Sequence, residues 1–205
     1  WGHDFRPAYR QLSSLREVVP EVPILALTAT ATVSVRDDIC RQLKLRQPQL
    51  IRSGFDRPNL ELIVRAKTSS MHKAWSDLGP YIQQVLAEPT GCVIIYANTI
   101  QDVMSLGYVL GTHVKCHTYY SKVSNDEKKK RQHEFSMDIV RVMVATVAFG
   151  MGIDKPDVRL VMHYGAPMNM ERYYQEVSRI KSKKSIQFFP ESWKILEIIH
   201  ILACF

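Results

Sequence analysis

The segment ATVAFGMGIDKPDV, residues 145–158, places two glycines and a carboxylate at a spacing that suits contact with a ligand. Gly150 and Gly152 let the backbone turn sharply or approach a ligand closely, and Asp154 can bond a ribose or orient an arginine. A GxGxD pattern alone is a weak signal, because glycines most often only make turns. LALTATAT, residues 25–32, sets small hydroxyl residues after an apolar run. Such hydroxyls can bridge a phosphate site to a neighbouring domain, or simply cap the next helix; Thr30 or Thr32 as N-cap is the plainer reading. WGHDFRPAY, residues 1–9, gathers Trp1, His3, Phe5 and Tyr9 around Arg6. Rings beside a guanidinium suit stacking on unpaired bases, and equally suit a surface loop packed on its own core. His113, Cys116 and His117 resemble metal ligands superficially. They fall on or beside a predicted strand with no second ligand pair, so no metal is assigned. The basic run 128–131 reads as a solvated helix face.

These residues need elements to hold them. Short apolar runs alternate with amphipathic stretches along the chain. VPILAL, residues 22–27, predicts a buried strand. A helix is predicted over 33–43, with Asp37 and Asp38 on its polar face and Val35, Ile39 and Leu43 on its apolar one. A strand is predicted at 60–64 and a helix at 71–86. Then comes a regular series: strand 92–96, helix 100–110, strand 114–119, helix 125–135, strand 140–145 and strand 158–163. This rhythm predicts an α/β fold, a parallel sheet with helices on both faces. Ligands in such sheets bind at the carboxyl ends of the strands, here the loops after Leu27, Tyr96, Tyr119 and Ala145. Gly, Asp, Pro and Asn cluster at 54–59, which predicts a boundary. The rhythm stops again near Lys181, where a Lys/Ser run precedes a Phe-, Trp- and Ile-rich end. Residues 192–205 suit a short amphipathic helix, expected to stay exposed.

Composition bounds the answer. Of 205 residues, 46% are hydrophobic and 23% charged, which excludes a mainly disordered chain. A formal net charge of +7 favours anionic partners, nucleic acid first. Four cysteines without a CxxC pair exclude a disulfide framework and predict a reduced compartment. No run reaches the roughly 20 apolar residues that span a bilayer. The chain opens on Trp1 rather than Met, so it is expected to begin inside a longer protein.

Taken together the pieces are far more specific. In chain order they run WGHDFRP, LTATAT, GFDRPNL, VIIYANT, VATVAFGMGIDKPDVRLVMHYGAP and ERYYQEVSR. This series resembles the RecQ family of DNA helicases, most nearly its Werner-type branch, over residues 1–179. The resemblance implies two RecA-like α/β lobes with ATP in the cleft between them, and 3′–5′ movement on single-stranded DNA to unwind duplex or branched DNA. It implies that 1–57 is the end of the first lobe, 58–180 the second lobe and 181–205 a divergent tail. Trp1, His3, Phe5 and Arg6 then match an aromatic-rich loop that couples DNA contact to ATP hydrolysis. Thr28, Ala29 and Thr30 match motif III, and 55–60 matches the link between lobes. Thr99 falls in motif IV and is expected to contact DNA. Gly150, Gly152 and Asp154 match motif V, which faces DNA and nucleotide. Gln175, Glu176 and Arg179 match the start of motif VI, where Gln175 and Arg179 are the expected catalytic residues and arginine charge meets the ATP phosphates. The implied cofactors are ATP and Mg2+, the implied partner single-stranded and branched DNA, and the implied location the nucleus.

The departures matter as much. No GxxxxGK[ST] and no DEAH box occurs in the sequence. Motif VI reads QEVSRIKSKK where the family reads QExGRAGRDG, so Arg179 is kept and Ser182 takes the place of the second arginine. Ala97, Thr99 and Ile100 stand in a Cys-x-Ser-Arg pattern, and Tyr119, Tyr120, Ser121 and Lys122 in a Tyr-His-Ala-Gly one. These changes predict weakened DNA contacts and no ATP hydrolysis by this chain alone. The tail is expected to arise from alternative splicing or a misjudged exon. A competing reading is a non-catalytic DNA-binding or regulatory fragment using Arg6, Lys115, Lys122 and Arg141 on phosphates. An RNA helicase is a third reading, and the aromatic-rich loop argues against it.

Overall fold

In the computed structural model every described strand lies beyond residue 59, and together they form one six-stranded, wholly parallel sheet. The structure describes residues 7–28, 32–51, 60–68, 70–149, 155–165, 173, 176 and 183–190. The chain divides into two units, Trp1–Asp56 and Arg57–Phe205.

In the first unit a 3-10 helix, Pro7–Ser14, runs into the single-turn helix α1, Leu15–Val18. Helix α2, Val33–Gln42, begins where expected because Thr32 caps it: its hydroxyl oxygen accepts from the Val35 N–H at 3.3 Å. The strand expected at 22–27 is not formed. Residues 23–28 run as irregular backbone, and Leu25 and Leu27 are 77% and 83% exposed. The run has strand composition, but a strand needs a neighbour to pair its N–H and C=O groups. Among the described residues of this unit no such neighbour is present. Its buried side chain among those described is Leu43.

The second unit follows the predicted alternation. Strand β1 is Leu60–Lys67, then helix α3 Ala74–Leu86, β2 Cys92–Ala97, α4 Ile100–Gly111, β3 Cys116–Tyr119, α5 Asn125–Ser136, β4 Val142–Ala145 and β5 Val158–Tyr164. A sixth strand, β6, Lys183–Pro190, was not expected from the sequence. It lies between β1 and β5 and pairs with both, so the sheet order is β1-β6-β5-β2-β4-β3. Alternate residues of β2 serve opposite faces. Val93, Ile95 and Ala97 join Leu78, Ile82, Val103, Leu106 and Leu110 under α3 and α4. Cys92, Ile94 and Tyr96 join Phe135 of α5, Met143, Phe149 and Val161 on the other face. All six residues of β2 are buried, as parallel pairing with cover on both faces requires.

Helix α4 approaches the edge strand β3 closely because residue 107 lacks a side chain. A Cβ on Gly107 would lie 2.2 Å from the Thr118 methyl group. Gly107→Ala should therefore cost about 1–3 kcal/mol by overpacking, despite the roughly 1 kcal/mol that alanine gains in a helix. At Gly111, where an added Cβ would meet nothing within 4 Å, the same change should cost nothing. Urea unfolding of the two variants checks both; equal midpoints would contradict the close approach.

Candidate functional site

Because every strand runs the same way, the loops after Lys67, Ala97, Tyr119, Ala145 and Tyr164 emerge at one edge of the sheet. At that edge Thr99 caps α4. Its oxygen accepts from the Asp102 N–H at 3.0 Å, and its hydroxyl bonds the Asp102 carboxylate at 2.7 Å. Beside it Gly165 has φ +124, and a Cβ there would come 3.1 Å from the Asn98 amide nitrogen. Lys67 lies 4.3 Å above the Tyr164 ring, and Lys122 is exposed in the loop after β3. The Lys128 ammonium donates to the Ser121 carbonyl at 2.8 Å and ties α5 to that same loop.

The chain leaving β4 is anchored at once. The Thr146 N–H donates to the Tyr119 carbonyl at 3.0 Å, and the Phe149 N–H donates to the Thr146 carbonyl at 3.0 Å. The Phe149 ring is buried edge-on against Tyr119 and Phe135, with centroids 4.9 and 5.5 Å away. Its carbonyl accepts from the Tyr96 hydroxyl at 3.2 Å. Opposite Tyr96 in the ladder stands His163, whose ring stacks on it at 5.4 Å. His163 Nε2 lies 2.8 Å from Glu176 Oε2, and the side chains are 3% and 8% exposed. Tyr173 meets the imidazole edge-on at 5.2 Å.

At the opposite edge stands a second polar node. The Lys155 ammonium lies 2.8 Å from Asp138 Oδ1 and 2.9 Å from Asp157 Oδ1, and it donates to the Ser136 carbonyl at 3.3 Å. The Cys92 thiol donates to Asp138 Oδ1 at 3.1 Å. Burial, with the Asp138 bond adding to it, pushes that thiol up to about 12. Burial would raise Asp138, but its bonds to Lys155 and Cys92 outweigh this and hold it below the ordinary carboxylate value. Burial would likewise lower Lys155, and its two carboxylates reverse that and raise it. Cys92, Asp138 and Asp157 offer ligand atoms within 4.8 Å of one another, but the Lys155 ammonium fills the cation position, so the node is an ion-pair cluster. Nearby, Arg141 donates to the carbonyls of Gly91, Leu86, Val85 and Glu88 at 2.8 to 3.2 Å. The phosphate-binding reading of Arg141 is therefore corrected: its guanidinium closes the end of α3. His113, Cys116 and His117 go to separate partners. His113 stacks on Trp75 at 4.4 Å, His117 bonds Glu134 at 2.6 Å, and burial pushes the Cys116 thiol up to about 11.

Of the site residues expected from sequence, Thr99 lies at the carboxyl edge as a helix cap, and Thr28 is exposed on irregular backbone in the first unit. Trp1, His3, Phe5, Arg6, Thr30, Gly150, Gly152, Asp154, Gln175 and Arg179 lie outside the described residues. The sequence reading missed the joint role of Tyr96, Phe149 and His163. The available signal was a polar-tipped ring at an inward position of each of two buried strands.

Comparison with known proteins bears on the family and the fold. Residues 77–183 match the family described as helicase conserved C-terminal domain. The chain is similar to an Acanthamoeba polyphaga mimivirus protein named as an ATP-dependent RNA helicase, 46% identical, covering 87% of this chain and 32% of that protein. It is similar to the bifunctional 3'-5' exonuclease/ATP-dependent helicase WRN of Mus musculus, 44% identical over 87% of this chain and 13% of that protein. It is also similar to the ATP-dependent DNA helicase RecQ of Pasteurella multocida, 39% identical over 87% of this chain and 27% of that protein. The chain thus spans about a third or less of the length of these relatives. In fold it is similar to the crystal structure of the Pyrococcus furiosus Hef helicase domain, with TM-score 0.50 and 20% identity over 63% of this chain and 28% of that one.

The polar node has a pH signature. Asp138 titrates below its unfolded value, so its contribution is present above the usual carboxylate range, about 4, and is lost as pH falls through the lowered value. Lys155 titrates above its unfolded value of 10.5, so its contribution is lost only as pH rises through the raised value. Lys155→Met should lower Tm most between about pH 5 and about pH 9, and the deficit should shrink on acidification towards about pH 2. Thermal scans across pH check this; a pH-independent deficit would contradict the ion-pair account.

Proposed function

Since the chain belongs to the RecQ family of helicases through its helicase conserved C-terminal domain, we propose that it works within an ATP-dependent 3′–5′ DNA helicase that unwinds duplex or branched DNA in the nucleus. In this reading 58–180 is the second RecA-like lobe, 1–57 the end of the first, and 181–205 a divergent tail. The observation that supports it most is the anchoring at the sheet's carboxyl edge. Buried Phe149 immediately precedes Gly150, and buried Glu176 immediately follows Gln175. Gly150, Gly152, Asp154, Gln175 and Arg179 would face nucleotide. Trp1, His3, Phe5, Arg6, Thr28, Thr30 and Thr99 would contact DNA and couple that contact to the nucleotide.

The donor set limits what this chain does alone. The lysines described at the carboxyl edge include Lys67, over Tyr164, Lys73 at the start of α3, and the loop-side Lys122 and Lys128. None stands in a glycine-rich strand-to-helix turn, and the sequence has no P-loop or DEAH box. These residues do not form a cradle for Mg2+ and ATP, whose hydrolysis would supply the free energy for stepping. In this reading the chain supplies Lys67, Lys122 and Lys128 at the sheet's carboxyl edge for a phosphate backbone, and Arg179 would serve the phosphates of a nucleotide bound elsewhere.

Two measurements test the proposal. Anisotropy of labelled oligothymidylate should report weak binding that falls steeply with salt, with a slope of about −0.7 per phosphate contact. Lys122→Glu should weaken it further. Salt-independent affinity, or stronger binding of oligouridylate, would contradict it. Phosphate release should not respond to single-stranded DNA. Release that does respond, and that Arg179→Ala abolishes, would overturn the claim that the chain alone is inactive.

A further inference from the structure

Two buried rings join segments that lie far apart in sequence. Tyr96 sits one residue before the end of β2, and its hydroxyl donates to the Phe149 carbonyl at 3.2 Å. His163 faces it across the β2–β5 ladder, stacked at 5.4 Å, and reaches Glu176 at 2.8 Å. Tyr96, Phe149, His163, Tyr173 and Glu176 are all buried. Apolar packing would fill this space without fixing a distance, since the hydrophobic effect has no direction. Hydrogen bonds between named atoms in a low dielectric do have direction, and networks of them hold one arrangement. Here two such bonds, joined by the Tyr96–His163 ring stack, run from the Phe149 carbonyl to the Glu176 carboxylate.

We propose that Tyr96 and His163 are positioning residues that set the Phe149 and Glu176 segments relative to each other, through the hydroxyl–carbonyl and imidazole–carboxylate bonds and the ring stack between them. This rests on the reading that those two segments face nucleotide and DNA. Its physical content is coupling: a change at one end of the network must be felt at the other.

The test uses the full chain. Tyr96→Phe removes one hydroxyl, and Glu176→Ala removes the acceptor. Glu176→Gln keeps an acceptor and serves if the alanine variant does not fold. Hydrogen exchange should accelerate about threefold to tenfold, the worth of one net hydrogen bond, at the far end in each case. Tyr96→Phe should be read at the Tyr173 and Glu176 amides, and Glu176→Ala at the Phe149 amide. Glu176→Gln should restore most of the protection. Acceleration confined to the mutated end in each variant would overturn the proposal. In the second arm, Tyr96→Phe should weaken oligothymidylate binding by a similar factor, with a fall in Tm of only about 2–4 °C, the cost of one lost hydrogen bond. A fall in Tm with affinity retained would mark the contact as packing only and would also overturn it. If the unmodified chain does not bind oligothymidylate, the functional reading fails, while far-end exchange still decides the coupling.

Discussion

The structure depends on strand β2 having a parallel neighbour on each side. Tyr96 of β2 pairs with Ala145 of β4 and His163 of β5, and every residue of β2 is buried. Parallel neighbours cannot be joined by hairpins, so each connection must cross from one edge of the sheet to the other. Helices α3, α4 and α5 make three of these crossings and cover both faces. The same constraint sends the loops that follow the strands to one edge, which separates a chemical edge from a structural one.

The crossing from β4 to β5 contains no helix among its described residues. It is fixed at two points instead. Phe149 is buried between Tyr119 and Phe135 soon after β4 ends, and Lys155 is bound to Asp138 and Asp157 just before β5 begins. Only residues 150–154, the glycine-containing stretch, lie between these anchors. Charged groups serve the anchoring at one end and rings at the other. Lys155 and Arg141, which composition alone counts among possible phosphate-binding cations, are held by protein oxygens.

Much of this was legible in the sequence, for local reasons. The runs at 92–96, 140–145 and 158–163 are apolar because those strands are buried on both faces, so they stand out without any alternation. The cap Thr32 was legible, because a hydroxyl before a helical pattern is a local signal; Thr99, expected as a DNA contact, carries the same signal and caps its helix. What was not legible depends on distant partners. Strand β6 opens on a Lys/Ser run that reads as a loop, and its partners lie far away in β1 and β5. The run at 22–27 has strand composition, but composition cannot say whether a neighbouring strand is at hand. The Tyr96–His163 stack joins residues 67 positions apart, a proximity that only the ladder register creates.

We propose that the carboxyl edge of this sheet meets single-stranded DNA, while the edge holding Lys155 and Arg141 is structural. Photo-crosslinking of the chain to halogenated oligothymidylate, followed by peptide mapping, tests it most directly. The account predicts adducts in the loops after β2 and β3, at Asn98, Thr99, Tyr120 and Lys122, competed away by salt. Adducts concentrated at Met137, Ile139 and Arg141 on the opposite edge, with none after β2 or β3, would contradict it.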